Sequence, residues 1–170
     1  ALHYAHTRVD TFGRPMKIVH RDVNPRNIMI SIRGEVKLID FGVAKADTKV
    51  EQTVGHVLKG KYAYMSPEQI NGTAIDGRSD LFALGIVLFE LLENRRPFSK
   101  LNEIQIMQKI IAGDIPPLSS PIVHDTPQQI IDMLDKILQV EASDRYIDAQ
   151  VLADRIKDLC KGCGGFPSGQ

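Results

Sequence analysis

Two short polar motifs at a fixed spacing constrain this chain more than any other feature of its sequence. The first is His20-Arg21-Asp22 with Asn27 five residues beyond the aspartate, and the second is an Asp-Phe-Gly triplet that begins at Asp40. Either pattern alone would be weak, but the two in this order form a specific combination. We therefore expect one site built from both motifs.

The segment between the motifs predicts a β-hairpin. Residues 27–31 and 35–39 are rich in strand-forming side chains, and a short turn that ends at Gly34 separates them. Because a hairpin brings the start of one strand next to the end of its partner, we expect Asn27 and Asp40 to lie near one another.

Together the motifs resemble the protein kinase signatures H-R-D-x-x-x-x-N and D-F-G. The resemblance implies that Asp22 is the base that accepts the proton of a substrate hydroxyl, while Asn27 and Asp40 bind magnesium. ATP would supply the phosphoryl group and a protein would accept it. By the same resemblance Met29 forms the floor of the adenine pocket, although an ordinary place in a strand core explains this residue almost equally well.

One departure from the family pattern removes a positive charge. Serine/threonine kinases usually carry a lysine two residues after the catalytic aspartate, where it reaches the γ-phosphate, and Asn24 at this position has no charge. Arg26 stands where tyrosine kinases carry an arginine, so it is the candidate for the missing charge. A solvated surface arginine is the alternative.

A second departure concerns the acceptor. Lys61 replaces the threonine that normally touches the catalytic aspartate in serine/threonine kinases, which leaves the acceptor specificity open. The run 64–69 and the long connection before Ile18 nevertheless look like those of bacterial serine/threonine kinases. We therefore favour serine and threonine as acceptors.

The weakly periodic stretch 41–66 matches the kinase activation segment, which ends at Ser66-Pro67-Glu68. By resemblance Glu68 pairs with Arg145, whose alternative is a solvated surface arginine. Asp80 matches the aspartate that holds the backbone of the catalytic loop, which is a structural role.

Arg21 suggests regulation by phosphorylation. Kinases with an arginine before the catalytic aspartate are commonly switched by a phosphate on the activation segment, because the two charges attract. Thr48 and Thr53 are the candidate acceptors for that phosphate. Ordinary loop polarity explains each of them equally well.

The rest of the chain predicts a mainly α fold. A buried helix is expected at 80–92, with Ser79 as its N-cap, and a later helix is expected to open with a capping box at Thr126. The full set of helical predictions is the end of a helix at 1–7 and helices at 80–92, 104–111, 126–138 and 148–159.

The resemblance and the helix pattern together predict the C-terminal lobe of a kinase at 1–159, followed by a flexible glycine-rich tail at 160–170. The segment before His20 contains no Gly-rich loop and no V-A-I-K-like strand, which kinases use to hold ATP. We therefore expect the N-terminal lobe to be absent from this chain and to lie upstream.

Composition restricts the partners. Lysine plus arginine and aspartate plus glutamate both number 21, which gives no reason to expect nucleic-acid binding. The longest apolar stretch, 81–92, is too short to cross a membrane and contains Glu90.

Two cysteines, Cys160 and Cys163, favour a reducing compartment such as the cytoplasm. Their spacing suits a metal, but a zinc site needs four ligands.

Asn24 and Lys61 also motivate a competing function. A pseudokinase or scaffold would bind partners without transferring phosphate, and it would tolerate a changed catalytic loop. Phosphoryl transfer to a protein remains the favoured function, because the three motif residues Asp22, Asn27 and Asp40 are intact.

Overall fold

A computed structural model of the chain describes residues 1–41, 61–120 and 125–162. These residues form a mainly helical structure with one two-stranded sheet, as the sequence predicts. The helices are α1 (Leu2–His6), α2 (Pro67–Asn71), α3 (Gly77–Glu93), α4 (Glu103–Ile111), α5 (Gln128–Ile137) and α6 (Ala149–Gly162). Single 3₁₀ turns lie at Pro25–Asn27, Tyr62–Tyr64 and Ala142–Asp144.

The predicted hairpin is present. Strands β1 (Ile28–Ile30) and β2 (Val36–Leu38) pair in an antiparallel register, and Gly34 makes the turn with a φ of 80°. That conformation favours glycine, because it has no Cβ to clash. The pairing continues past the strands, since the Ile39 amide donates to the Asn27 carbonyl at 2.9 Å.

Helix α3 is the buried centre of the fold. It separates two apolar clusters, one around Phe82 and Ile86 and the other around Leu81, and all three side chains are at most 1% exposed. Helices α5 and α6 complete the second cluster through Met133, Ile137 and Leu152.

The N-cap prediction for α3 is wrong. The helix begins earlier, with Asp76 as the N-cap accepting a hydrogen bond from the Arg78 amide at 2.9 Å. Ser79 instead donates its hydroxyl to Glu68 at 2.5 Å. At the other end Asn94 stops the helix in the left-handed conformation.

Other helix boundaries also differ from the prediction. Helix α5 begins with Pro127, not Thr126, at the N-cap position. Helix α6 continues through Gly162, three residues past the expected end at Leu159, because no helix breaker occurs before that glycine. Across the described parts of the chain, no helix combines the length and apolar character that a membrane span requires.

Candidate active site

A buried carboxylate fixes the backbone of the first motif. Asp80, 1% exposed in the first turn of α3, accepts hydrogen bonds from the amides of His20 and Arg21, both at 2.8 Å. The same carboxylate contacts Nε2 of His6 at 2.7 Å. Arg21 has a φ of 64°, in the left-handed region of the backbone. This conformation is costly for a residue with a side chain, and the hydrogen bonds to Asp80 maintain it.

His20 connects the first motif to the second. Its fully buried ring accepts the Asp22 amide at Nδ1, at 3.3 Å, and therefore carries its proton on Nε2. Nε2 then donates to the Ile39 carbonyl at 2.9 Å, directly before Asp40. The ring also packs against Phe41, with 4.5 Å between the ring centroids. The two motifs thus share one set of contacts.

Two asparagines converge on Asp22. The side-chain amides of Asn24 and Asn27 donate to the Asp22 carbonyl at 2.9 Å and 2.8 Å. Asn24 also donates to Oδ1 of Asp22 at 3.2 Å, and its own oxygen accepts the Arg26 amide at 3.0 Å, which caps the 3₁₀ turn. The loop around Asp22 is therefore ordered by side chains within it.

Asn27 and Asp40 suit a hard cation. Asn27 is 8% exposed, and because its nitrogen donates to the Asp22 carbonyl, its amide oxygen is the atom it offers to a ligand. Asp40 is exposed, with a φ of 56°, and follows the residue that pairs with Asn27 across the hairpin. Magnesium is commonly held by one or two carboxylates together with phosphate oxygens, so this donor set fits that ion.

Within the described ranges, no group of three or more His, Cys, Asp or Glu side chains is arranged to hold a metal.

Lys61 lies beside the expected base. Its Nζ is 3.6 Å from Oδ2 of Asp22, and the two side chains are 26% and 22% exposed. Arg26, the sequence-based candidate for a cation near the phosphate, is exposed on the 3₁₀ turn. The motif pattern predicts that residue 61 touches the aspartate, but it makes Arg26, not Lys61, the candidate for the missing charge.

The expected pair of Glu68 and Arg145 is present. Two hydrogen bonds of 2.8 Å and 2.9 Å join the guanidinium to the carboxylate, and Arg145 stacks on the Phe82 ring at 4.9 Å. Burial would raise the pKa of Glu68, but the hydrogen bonds from Arg145 and Ser79 outweigh it and hold the pKa below its usual range.

Two residues near the first motif were missed by sequence analysis. His6 of α1 reaches Asp80, and Gln69 of α2 donates to the Arg21 carbonyl at 3.1 Å. Gln69 also closes a capping box with Ser66 at the start of α2. These contacts join residues 74 and 48 positions apart, and only the folded arrangement identifies them.

The other predicted residues lie on β1, in α6 or outside the described part of the chain. Met29 lies on β1 and is 53% exposed. Thr48 and Thr53, the expected phosphate acceptors, lie outside the described residues, as does Cys163. Cys160 lies in α6.

Comparison with known proteins agrees with these motifs. The family model described as "Protein kinase domain" matches residues 1–156. The chain is 37% identical over 172 residues to tyrosine-protein kinase MasK of Myxococcus xanthus, covering 99% of this chain and 26% of that protein. It is 36% identical over 132 residues to serine/threonine-protein kinase PknL of Mycobacterium tuberculosis, covering 78% of this chain and 33% of that protein.

A third relative is the probable serine/threonine-protein kinase PknB of Bifidobacterium longum, which is 36% identical over 151 residues. That match covers 88% of this chain and 21% of the relative. The chain thus spans about a fifth to a third of the length of these curated relatives.

Proposed function

Because the chain belongs to the protein kinase family, we propose that it is the C-terminal lobe of a kinase that transfers the γ-phosphate of ATP to serine or threonine hydroxyls of proteins. One observation carries the proposal: the loop of Asp22 and the hairpin end at Asp40 are joined through the buried ring of His20. Phosphoryl transfer depends mainly on such positioning.

Each motif residue has a distinct role in this proposal. Asp22 orients the acceptor hydroxyl and takes its proton as the new bond to phosphorus forms. The amide oxygen of Asn27 and the carboxylate of Asp40 hold magnesium, which when bound neutralises charge on the phosphate oxygens. Met29 contacts the adenine ring, and its exposed side chain on β1 is available for that contact.

The remaining predicted residues support this site. Asp80 keeps the backbone of His20 and Arg21 in place, and the pair of Glu68 and Arg145 fixes the end of the activation segment. Arg21 would attract a phosphate on Thr48 or Thr53, which would order that segment.

Serine/threonine specificity is supported by several relatives that are named serine/threonine-protein kinases, including PknL and PknB. MasK, which aligns over nearly the whole chain, is named a tyrosine kinase. Lys61 occupies the position where the acceptor loop meets Asp22, so this residue bears on the choice between the two.

A second lobe is part of the proposal. The hairpin exposes several large apolar side chains, among them Met29 at 53%, Ile30 at 70% and Val36 at 65%. An ATP-binding lobe packed on the hairpin would cover such side chains and supply the phosphate-binding loop.

Two further expectations stay predictions. They are a cytoplasmic location, where ATP is available, and an end of the lobe near residue 159.

A scaffold without transfer activity is the competing function. The observation that favours it is the ion pair of Lys61 with Asp22, because a lysine paired with the base competes with the acceptor hydroxyl. This alternative keeps the fold but removes the need for magnesium.

The test is transfer from γ-labelled ATP by the full-length protein, followed by phosphoamino-acid analysis. Asp40→Asn should abolish magnesium-dependent transfer, whereas Arg33→Gln, on the exposed hairpin turn, should leave it unchanged. Phosphoserine and phosphothreonine would support the proposal, and phosphotyrosine alone would correct the specificity. A wild-type protein that transfers no phosphate to any acceptor would favour the scaffold.

A further inference from the structure

Lys61 brings a positive charge to within 3.6 Å of the Asp22 carboxylate. The family pattern carries a lysine two residues after the catalytic aspartate, where this chain has Asn24. We propose that Lys61 is a catalytic residue that supplies the missing charge to the transferred phosphoryl group. This inference rests on the proposed function, because it assigns a residue to the same reaction.

Asn24 cannot replace the lysine. Its amide oxygen accepts the Arg26 amide, and its nitrogen donates to both the carbonyl and the carboxylate of Asp22. An amide engaged at both ends stabilises the turn and brings no net charge to a phosphate. The cation has to come from another part of the chain.

Lys61 reaches the same carboxylate from the end of the activation segment. The 3.6 Å between its Nζ and Oδ2 of Asp22 is an ion-pair distance, and both side chains are about three-quarters buried. Electrostatic interactions are stronger in such a partly buried position than in bulk water. Arg26 is exposed, so its charge is more strongly screened.

The position beside Asp22 is where a phosphate-binding cation is needed. The γ-phosphorus has to approach the acceptor oxygen whose proton passes to Asp22. The bond from phosphorus to the ADP oxygen breaks, the bond to the acceptor oxygen forms, and ADP leaves. An ammonium group has three donors, so Lys61 can contact Asp22 and an equatorial phosphate oxygen together.

The first test measures steady-state kinetics of the full-length protein. Lys61→Met should lower kcat about 100-fold, the effect of removing one donor to a transition state. The KM for ATP should stay within about threefold, because the contact forms mainly during transfer. Lys100→Met removes a lysine from an exposed position beyond the end of α3 and should change neither constant.

Binding gives a readout that does not depend on turnover. ADP with aluminium fluoride imitates the group in transfer, whereas ADP alone lacks it. Lys61→Met should weaken binding of ADP with aluminium fluoride at least about tenfold, while the affinity for ADP should change less than about twofold. Equal affinities of wild type and variant for both probes would overturn the inference.

A rescue experiment separates charge from structure. In the Lys61→Met background, Asn24→Lys restores a cation and Asn24→Ala does not, although both lose the cap of the 3₁₀ turn. The lysine variant should be at least about tenfold more active than the alanine variant. Equal activity of the two, an unchanged kcat in Lys61→Met, or an effect confined to the KM of the protein acceptor would overturn the inference.

These outcomes differ from failure of the proposed function. If the wild-type protein transfers phosphate and Lys61→Met transfers it equally well, only the role of Lys61 is refuted. If the wild-type protein transfers none, the kinase proposal is refuted together with the role of Lys61.

Discussion

Replacing Arg145 with leucine should severely destabilise this domain. The residue is 3% exposed, and its guanidinium donates five hydrogen bonds. Two of them reach Glu68 in α2, and the others reach backbone carbonyls of Arg78, Gln139 and Val140. Leucine donates none of these bonds.

The expected loss of stability follows from the Glu68 carboxylate, which the substitution leaves without its cation. Glu68 keeps the hydroxyl of Ser79 as a donor, but its carboxylate, with 11% of the side chain exposed, loses its cation. Removing one partner of a buried pair costs about 3–5 kcal/mol. Small domains are stabilised by only about 5–15 kcal/mol, so this loss would approach unfolding.

Urea unfolding of the purified domain measures the effect. Glu68→Gln should also destabilise. The double variant should lose less than the sum of the two single changes, because each single change leaves one buried charge without its partner and the double variant leaves neither charge. Arg33→Leu, on the exposed hairpin turn, is the control and should stay within about 0.5 kcal/mol of wild type. A loss below about 1 kcal/mol for Arg145→Leu, or full additivity, would refute this account of the pair.

Three further predictions concern acid stability, helix packing and the loop that contains His20 and Asp22. The pKa of Glu68 is lowered in the folded state, so its pairing with Arg145 stabilises the fold at neutral pH. This contribution is lost as the pH falls below about 4.3, the ordinary value of a glutamate, and through the folded pKa. Arg145→Leu should remove that acid-induced loss, as urea midpoints at neutral and acid pH would show. A Cβ at Gly85 would lie 2.6 Å from Cγ2 of Ile137, so Gly85→Ala should destabilise by about 1–3 kcal/mol in thermal melts. Both carboxylate oxygens of Asp80 accept backbone amides, whereas asparagine has one acceptor oxygen. Asp80→Asn should therefore lower the free energy of unfolding by about 1.5–3 kcal/mol and slow phosphate transfer.

Local patterns made much of this structure predictable. The hairpin at Asn27 to Ile39 follows from two short strand-forming runs and a glycine turn, and the structure confirms it. Helix α3 is nearly continuous in apolar residues, which identifies it as buried, although Leu91 near its end is 71% exposed. Its N-cap was misplaced because both Ser79 and Asp76 suit that position, and Ser79 is engaged by Glu68 instead.

Contacts between distant segments were harder to predict. His6 and Gln69 carry no local signal for their bonds to Asp80 and the Arg21 carbonyl. Sequence spacing alone does not define the 3.6 Å between Nζ of Lys61 and Oδ2 of Asp22. The motif resemblance places residue 61 against Asp22, but it makes Arg26, not Lys61, the candidate for the missing charge.

The central claim is that Asp22 serves phosphoryl transfer, and single-turnover transfer by full-length Asp22→Asn tests it most directly. Asparagine keeps the size of the side chain but cannot take the proton, so transfer should slow by about 10²–10⁴-fold while the melting temperature stays near that of wild type. A decrease of less than about tenfold would contradict the assignment of Asp22 as the base.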